Sequence, residues 1–258
     1  MIFKGAVVRA VPETISAGIT SANLGKADYE RAREQHDRYV GALEECGLEV
    51  IGLDADERYP DSVFIEDTAV VTDRCAIIAS PGAASRRGEV GEVEDVLAWL
   101  YEDVKRIVNP GTLDGGDVLQ VGEHFYVGLT RRTNREGAEQ LCTHLQAYGF
   151  NASTVELRRF LHLKTGVAYL GGNDLVVAGE LAAREEFEDF DKIFVTREEE
   201  YCANCIRVNG HVLVAGGCAN TREKIVERGY EVIELEMSEF RKLDGGLSCL
   251  SLRLPGTV

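Results

Sequence analysis

Nowhere does the sequence hold the roughly 20 consecutive apolar residues that an α-helix needs to cross a bilayer, which argues against a membrane-spanning helix. Positive charge is also short: 28 Lys and Arg stand against 44 Asp and Glu, a formal net charge of −16. Phosphate contact needs a basic surface, so nucleic acid is set aside as a partner. An acidic surface is compatible with a small cationic substrate, although in most proteins it serves solubility alone. Proline is scarce, with five residues scattered over 258. With no Pro-, Gly- or Ser-rich linker and no low-complexity tract, a single domain over residues 1–258 is expected. The first nine residues read as a strand, too short and too soon charged for a signal peptide, so the expected location is the cytoplasm. The seven cysteines are odd in number and irregularly spaced, in a chain too large to need staples. Reduced thiols are therefore expected.

What is present is a repeat. Four segments read as two short strands around a tight turn: 68–71 with 75–78, 117–121 with 125–128, 167–170 with 175–178, and 205–208 with 212–215. The last turn, Asn209-Gly210, is the strongest hairpin signal, because both residues tolerate positive φ. Amphipathic helices follow most of the hairpins. Val90, Val93, Leu97 and Leu100 share one helical face, as do Ala138, Leu141, Leu145 and Tyr148 after an expected capping box at Thr133 and Glu136. A shorter helix is expected over 221–229, ending at Gly229, and a long one ahead of the hairpins from Tyr29 to Cys46. A further strand usually comes next, at 48–53, 104–108 and 230–235. Hairpin, helix and strand thus recur every 40 to 50 residues or so, the spacing of a circular or stacked array. The fold class expected is α/β built from these repeated units. A doubly wound sheet would lack the hairpins.

If such units close around an axis, the residues just before each hairpin meet near its centre. Four such places hold polar or reactive residues: Asp61 to Asp67, Gly111 to Asp117, Leu161 to Lys164, and Asp244 to Cys249. Cys249 follows a glycine turn that lets backbone approach a ligand closely, and as thiolate it would be a nucleophile; buried, it would be a small hydrophobe. His162 is the natural proton carrier, or else a core histidine. Asp114 could orient that imidazole, or simply occupy a turn beside two glycines. Asp61, Glu66 and Asp67 suit a guanidinium, whose donors form a planar fork. Arg86 and Arg132 could clamp a carboxylate or be solvated charges.

Taken together, these segments resemble the dimethylarginine dimethylaminohydrolases, within the guanidino-group-modifying superfamily of the pentein fold. The resemblance runs from Arg9 to Leu254 and rests on SVFIEDTAVV (62–71), PGAASRRGEV (81–90), GTLDGGDVLQVG (111–122), FYVGLTRRTNREGA (125–138), LHLKTG (161–166), ANCI (203–206) and KLDGGLSCLS (242–251). It implies a five-bladed αβ propeller, a cofactor-free and metal-free hydrolase, and a covalent thiouronium intermediate on Cys249. His162 would be the general acid and base, and Asp114 its orienting carboxylate. Asp67 would hold the guanidinium, with Glu66 nearby and Asp244 assisting. Asp61 and the carbonyl of Leu243 would take the α-amino group, joined by the carbonyl of Ile19 from a loop at 18–25 that reads as a lid. Arg86 and Arg132 would take the carboxylate. The products would be citrulline and dimethylamine or methylamine. Bacterial members are often dimers, so a homodimer is the assembly suggested.

Three rival readings stand beside this one. In the related arginine deiminases an aspartate follows the catalytic histidine by two places, giving a second grip on an unsubstituted guanidinium; here Lys164 occupies that place, which favours an N-methylated substrate. A metal or redox protein could use the CxxC of Cys202 and Cys205 with His211 and Cys218 nearby, but it lacks a second compact ligand pair. A non-catalytic binder of arginine derivatives would keep its function without Cys249.

Overall fold

Short β-branched runs make strands because their stiff side chains pack well on a pleated surface. In the computed structural model, which describes residues 2–256, they form five three-stranded sheets. The strands are β1 (Phe3–Arg9), β2 (Glu49–Leu53), β3 (Ala69–Val71), β4 (Ala76–Ile78), β5 (Val104–Arg106), β6 (Val118–Val121), β7 (His124–Leu129), β8 (Asn151–Glu156), β9 (Val167–Gly171), β10 (Asp174–Val177), β11 (Asp191–Phe194), β12 (Ile206–Val208), β13 (His211–Ala215), β14 (Glu231–Leu235) and β15 (Leu252–Pro255). All four expected hairpins form, as β3–β4, β6–β7, β9–β10 and β12–β13, and each second strand pairs in parallel with the next strand along the chain. The fifth sheet joins the two ends of the described chain: β1 runs antiparallel to β15 and parallel to β2. That pairing closes the ring.

A parallel pair needs a crossover, and helices supply it. The crossovers are α1 (Tyr29–Glu45) in the fifth blade, α2 (Val90–Leu100), α3 (Arg135–Ala147), and, numbered in chain order after α4 (Leu163–Gly166), α5 (Ala219–Glu227); α6 (Ser238–Arg241) lies just before the last glycine turn. Val93 and Leu97 of α2 bury against Ala76 and Ile78, and Ala138, Leu141 and Leu145 of α3 against Ile77, Phe125 and Val127. The core therefore lies between each sheet and its helix. The first strands of the blades instead face a central cavity of about 320 Å³, lined by residues of β3, β6, β9, β12 and β15.

Several expectations are corrected. The cap of α3 is Asn134, whose side chain accepts the Gly137 N–H, and not Thr133; the Thr133 hydroxyl accepts the Asp114 N–H. The third blade, for which no helix was expected, crosses over through two short 3₁₀ turns, 179–183 and 185–187. After the last glycine turn the chain makes a 3₁₀ turn at Ser248–Leu250, and the final strand begins at Leu252. The cysteines are not all reduced: Cys202 and Cys218 form a disulfide, while Cys46, Cys75, Cys142, Cys205 and Cys249 are free thiols. The CxxC pair at 202 and 205 is thereby split.

The disulfide joins the turn before β12 to the start of α5, and Glu199 spans the same gap by accepting the N–H groups of Asn220 and Thr221. Closing a 16-residue separation should stabilise the fold by up to about 3 kcal/mol, or roughly 6–12 °C in thermal midpoint. Melting the double variant Cys202→Ser, Cys218→Ser measures this. An unchanged midpoint would show that the Glu199 contacts suffice.

Candidate active site

Each blade is entered through a short helical turn: Ile65–Thr68 before β3, Gly115–Asp117 before β6, Leu163–Gly166 before β9, Glu200–Ala203 before β12, and Ser248–Leu250 before β15. Four of these turns carry or flank the residues singled out from sequence: Asp67 in the first, Asp114 just before the second, His162 just before the third and Cys249 in the fifth. Asp67, His162 and Cys249 meet in one narrow cleft, lined by Ile19, Asp61, Phe64, Asp67, Arg86, Arg132, Leu161, His162, Leu243, Asp244, Gly245 and Cys249, while Asp114 is fully buried and reaches it through His162.

His162 Nε2 lies 2.9 Å from Asp114 Oδ2 and 3.9 Å from Asp67 Oδ1. Asp114 is itself held by the Gly82 N–H on its other oxygen, at 2.8 Å. Asp67 accepts the Gly116 N–H at 2.9 Å and Arg86 Nη1 at 2.6 Å. A Cβ on Gly116 would fall 2.8 Å from His162 Nδ1 and 2.9 Å from Asp67 Oδ1, so only glycine lets the backbone come this close to both. Burial alone would lower the imidazole pKa. The surrounding carboxylates Asp67, Asp114 and Asp117 outweigh it and raise it to about 9. Asp114, although burial pushes it the other way, is held below the usual carboxylate range by His162, Arg86 and the Gly82 N–H.

Cys249 lines the same cleft, and its sulfur accepts the Gly246 N–H at 3.3 Å. Burial, followed by the negative charges of Glu66 and Asp67, pushes the thiol up to about 12. With both groups raised, a neutral thiol beside an imidazolium is favoured over a preformed ion pair at neutral pH.

Two expected binding residues are placed differently from the rest. Glu66 does not line the cleft; it faces the central cavity, where its oxygens accept Lys164 Nζ at 2.7 Å, Arg253 Nη2 at 3.2 Å and the Ser248 hydroxyl at 2.7 Å. Arg86 lines the cleft but is buried, donating to both Glu89 oxygens, to Asp67 and to the Phe64 carbonyl. Arg132 differs: its Nη1 is buried without a hydrogen-bond partner, 3.8 Å from Asp114 Oδ2.

The 18–25 loop is tied down by the acids beneath it. Asp61 accepts the Ile19 N–H, and Asp244, with φ +58°, accepts the Ser21 N–H at 2.6 Å and both the Ser21 and Thr20 hydroxyls. Phe64, Leu161 and Gly245 were not singled out individually as cleft residues, but each lies inside one of the segments expected to meet at the centre. Asp67, Asp114 and His162 could each offer a metal one ligand atom, all within 4.8 Å of one another. Asp67 and Asp114 already accept Arg86 and the Gly116 and Gly82 N–H groups, and the facing atoms of His162 and Asp114 are spent on each other at 2.9 Å, so this trio fits a proton-handling role better than a metal.

Residues 20–250 match the family model described as N,N dimethylarginine dimethylhydrolase, eukaryotic. The chain is 49% identical to N(G),N(G)-dimethylarginine dimethylaminohydrolase of Pseudomonas aeruginosa, covering 98% of this chain and 100% of that one. With the Streptomyces coelicolor protein of the same name it shares 37% identity over 97% and 96% of the two chains. The structure of the Pseudomonas aeruginosa protein as a C249S mutant complexed with citrulline superposes with a TM-score of 0.97 at 48% identity, over 98% of this chain and 100% of that one. The N-terminal domain of ArgZ, at 20% identity, shares the fold with a TM-score of 0.87, over 96% of this chain and 97% of that one. Fold and site thus define a five-bladed αβ propeller of the pentein class that modifies guanidino groups. Within that class, the chain belongs to the dimethylarginine dimethylaminohydrolase family.

The imidazole pKa gives a direct check. In the parent protein His162 should titrate near 9 by NMR, and in Asp114→Asn it should fall back toward the ordinary histidine range as one carboxylate is lost. A raised folded-state pKa stabilises the fold fully below the unfolded value, and that stability is lost as pH rises through about 9. Asp114→Asn should flatten this dependence. An unmoved titration would mean that Asp114 does not govern the ring.

Proposed function

We propose that the chain, acting over 1–258 as one catalytic domain, hydrolyses N-omega-methylated arginine to citrulline and the corresponding methylamine, with Cys249 as nucleophile. The observation that carries this reading is the single cleft that gathers the Cys249 thiol, the His162 ring and the carboxylates of Asp61 and Asp67. It is supported by relatives solved with citrulline and as an adduct with S-methyl-L-thiocitrulline.

The proposed binding follows from charge and geometry. Asp67 faces the guanidinium, with Asp244 at the edge of the same cleft. Asp61 and the carbonyls of Leu243 and Ile19 take the α-amino group. Arg132, with a donor to spare, takes the carboxylate, and Arg86 braces Asp67 on that wall. Lys164 holds Glu66 on the cavity side, which removes a second gripping carboxylate and leaves one guanidinium nitrogen free to carry methyl groups.

The chemistry begins with the substrate's charge. A bound guanidinium offsets the carboxylates that keep the thiol neutral, so Cys249 releases its proton to solvent and the thiolate attacks the guanidinium carbon. The His162 imidazolium protonates the departing dimethylamine as the C–N bond breaks, leaving an S-alkylthiouronium on Cys249. Water then attacks this carbon and gives a proton to the neutral imidazole. The C–S bond breaks and citrulline departs. Since His162 must start protonated, turnover should be lost as pH rises through about 9. A small cationic amino acid is the only partner this chemistry requires. The proposed setting is the cytoplasm, where burial of Cys202 and Cys218 shields their disulfide from reductant.

Incubation with asymmetric dimethylarginine should yield equal amounts of citrulline and dimethylamine, and Cys249→Ser should lower the rate by about 1,000-fold or more. Ammonia from free arginine as the preferred product would instead place the chain with the arginine deiminases. Separately, the pKa of Cys249, read from its alkylation rate against pH, should fall from about 12 toward neutrality when a cationic ligand is bound. Equal values with and without ligand would refute activation by substrate.

A further inference from the structure

Of the five blade-entry turns, the fourth supplies no residue to the cleft, yet it carries a buried side chain whose hydrogen bonds all point at the machinery. Asn204 follows the turn Glu200–Ala203 directly and is 6% exposed. Its carbonyl oxygen accepts the Ser248 N–H at 2.9 Å, and its amide donates to the Ser248 hydroxyl and to the Lys164 carbonyl, each at 3.1 Å. One side chain thus joins the turn that presents Cys249 to the turn that follows His162.

The neighbourhood fits a fixed spacer. A Cβ on Gly246 would lie 2.5 Å from Asn204 Cγ, so the nucleophile turn packs directly on the amide plane. Gly246 is also the residue whose N–H reaches the Cys249 sulfur. From the same fourth turn, Tyr201 donates its hydroxyl to the Gly245 carbonyl at 2.9 Å, and Cys202 anchors the turn to α5 through the disulfide. Asn204 belongs to the ANCI segment (203–206) that carries part of the family resemblance.

We propose that Asn204 is a positioning residue: it sets the distance between the Cys249 sulfur and the His162 ring by clamping the 246–249 turn to the Leu163–Gly166 turn. The proposal rests on the catalytic reading of Cys249 and His162 given above. Truncating the side chain leaves the Ser248 N–H and the Lys164 carbonyl without their partner, and the nucleophile turn is free to shift. A displacement near 1 Å between reacting groups costs about 100-fold in rate.

The test uses the full-length protein with Asn204→Ala and Asn204→Asp, each checked for folding by thermal melting. With asymmetric dimethylarginine, Asn204→Ala should lose about 30- to 100-fold in kcat with KM changed by less than about threefold. Asn204→Asp keeps an acceptor for the Ser248 N–H and should recover at least about a tenth of the parent rate. Iodoacetamide labelling, read at Cys249 by peptide mass at fixed pH, should slow about tenfold in Asn204→Ala as the Gly246 N–H leaves the sulfur. A folded Asn204→Ala with kcat within about threefold of the parent, or an equal kcat loss in both variants, overturns the proposal. If the parent itself hydrolyses no methylated arginine, the catalytic reading fails on its own and the labelling rates decide: slowed labelling of Cys249 supports the clamp, and unchanged labelling rejects it.

Discussion

Everything at the mouth of the ring depends on one buried cation. Asp61, Asp67, Glu89 and Asp114 crowd a small, nearly dry volume, and the Arg86 guanidinium lies among them with its donors divided between Glu89, Asp67 and backbone carbonyls. An unpaired buried charge carries a penalty of several kcal/mol, so this cluster of acids persists only because Arg86 and the His162 imidazolium stand within it. Compensation is incomplete. Even beside Arg86, burial lifts Glu89 to about 7, and Asp61 is raised as well. The cleft is left electronegative, which is what a guanidinium needs and what a free thiolate cannot tolerate.

The same constraint explains how much of the molecule could be read from its sequence. Hairpins were legible because β-branched runs flank turn residues within a few positions, and Asn209, at φ +52°, has the backbone its Asn-Gly signal required. The fifth blade was not legible, because β15 pairs with β1 across nearly the whole chain and no local pattern announces such a pair. Nor were β8 and β11, whose half-exposed residues give weak periodicity. The capping box at Thr133 failed for a tertiary reason. The hydroxyl is used to hold Asp114, and the next residue takes over the cap.

For the site, residue types at the ends of turns pointed to Cys249, His162 and Asp67, which share one cleft, and to Asp114, which is buried against the His162 ring. Sequence cannot say which way a side chain faces when two charged residues are adjacent. Glu66 and Asp67 show this: in a tight turn successive side chains diverge, so Asp67 meets His162 while Glu66 meets Lys164 and Arg253 on the cavity side. Arg86 reads in the sequence as a clamp for a substrate carboxylate or a solvated charge, and only the fold reveals it as the counter-ion of the acids. The pairing of Cys202 with Cys218 was hidden by the nearer Cys205 and by the expectation of reduced thiols.

Placing acids on both sides of the nucleophile has a consequence for selectivity. Burial, with Glu66 and Asp67, raises the Cys249 thiol, so an uncharged electrophile that enters the cleft meets little thiolate and reacts slowly. On the proposed mechanism, a guanidinium brings the missing positive charge with it and thereby creates its own nucleophile. The urea group of citrulline is neutral, so once the C–S bond breaks, the charge that favoured the thiolate is gone and the sulfur is protonated again. The electrostatic field that arms the site for a cation thus disarms it when the product forms, with no moving part beyond a proton.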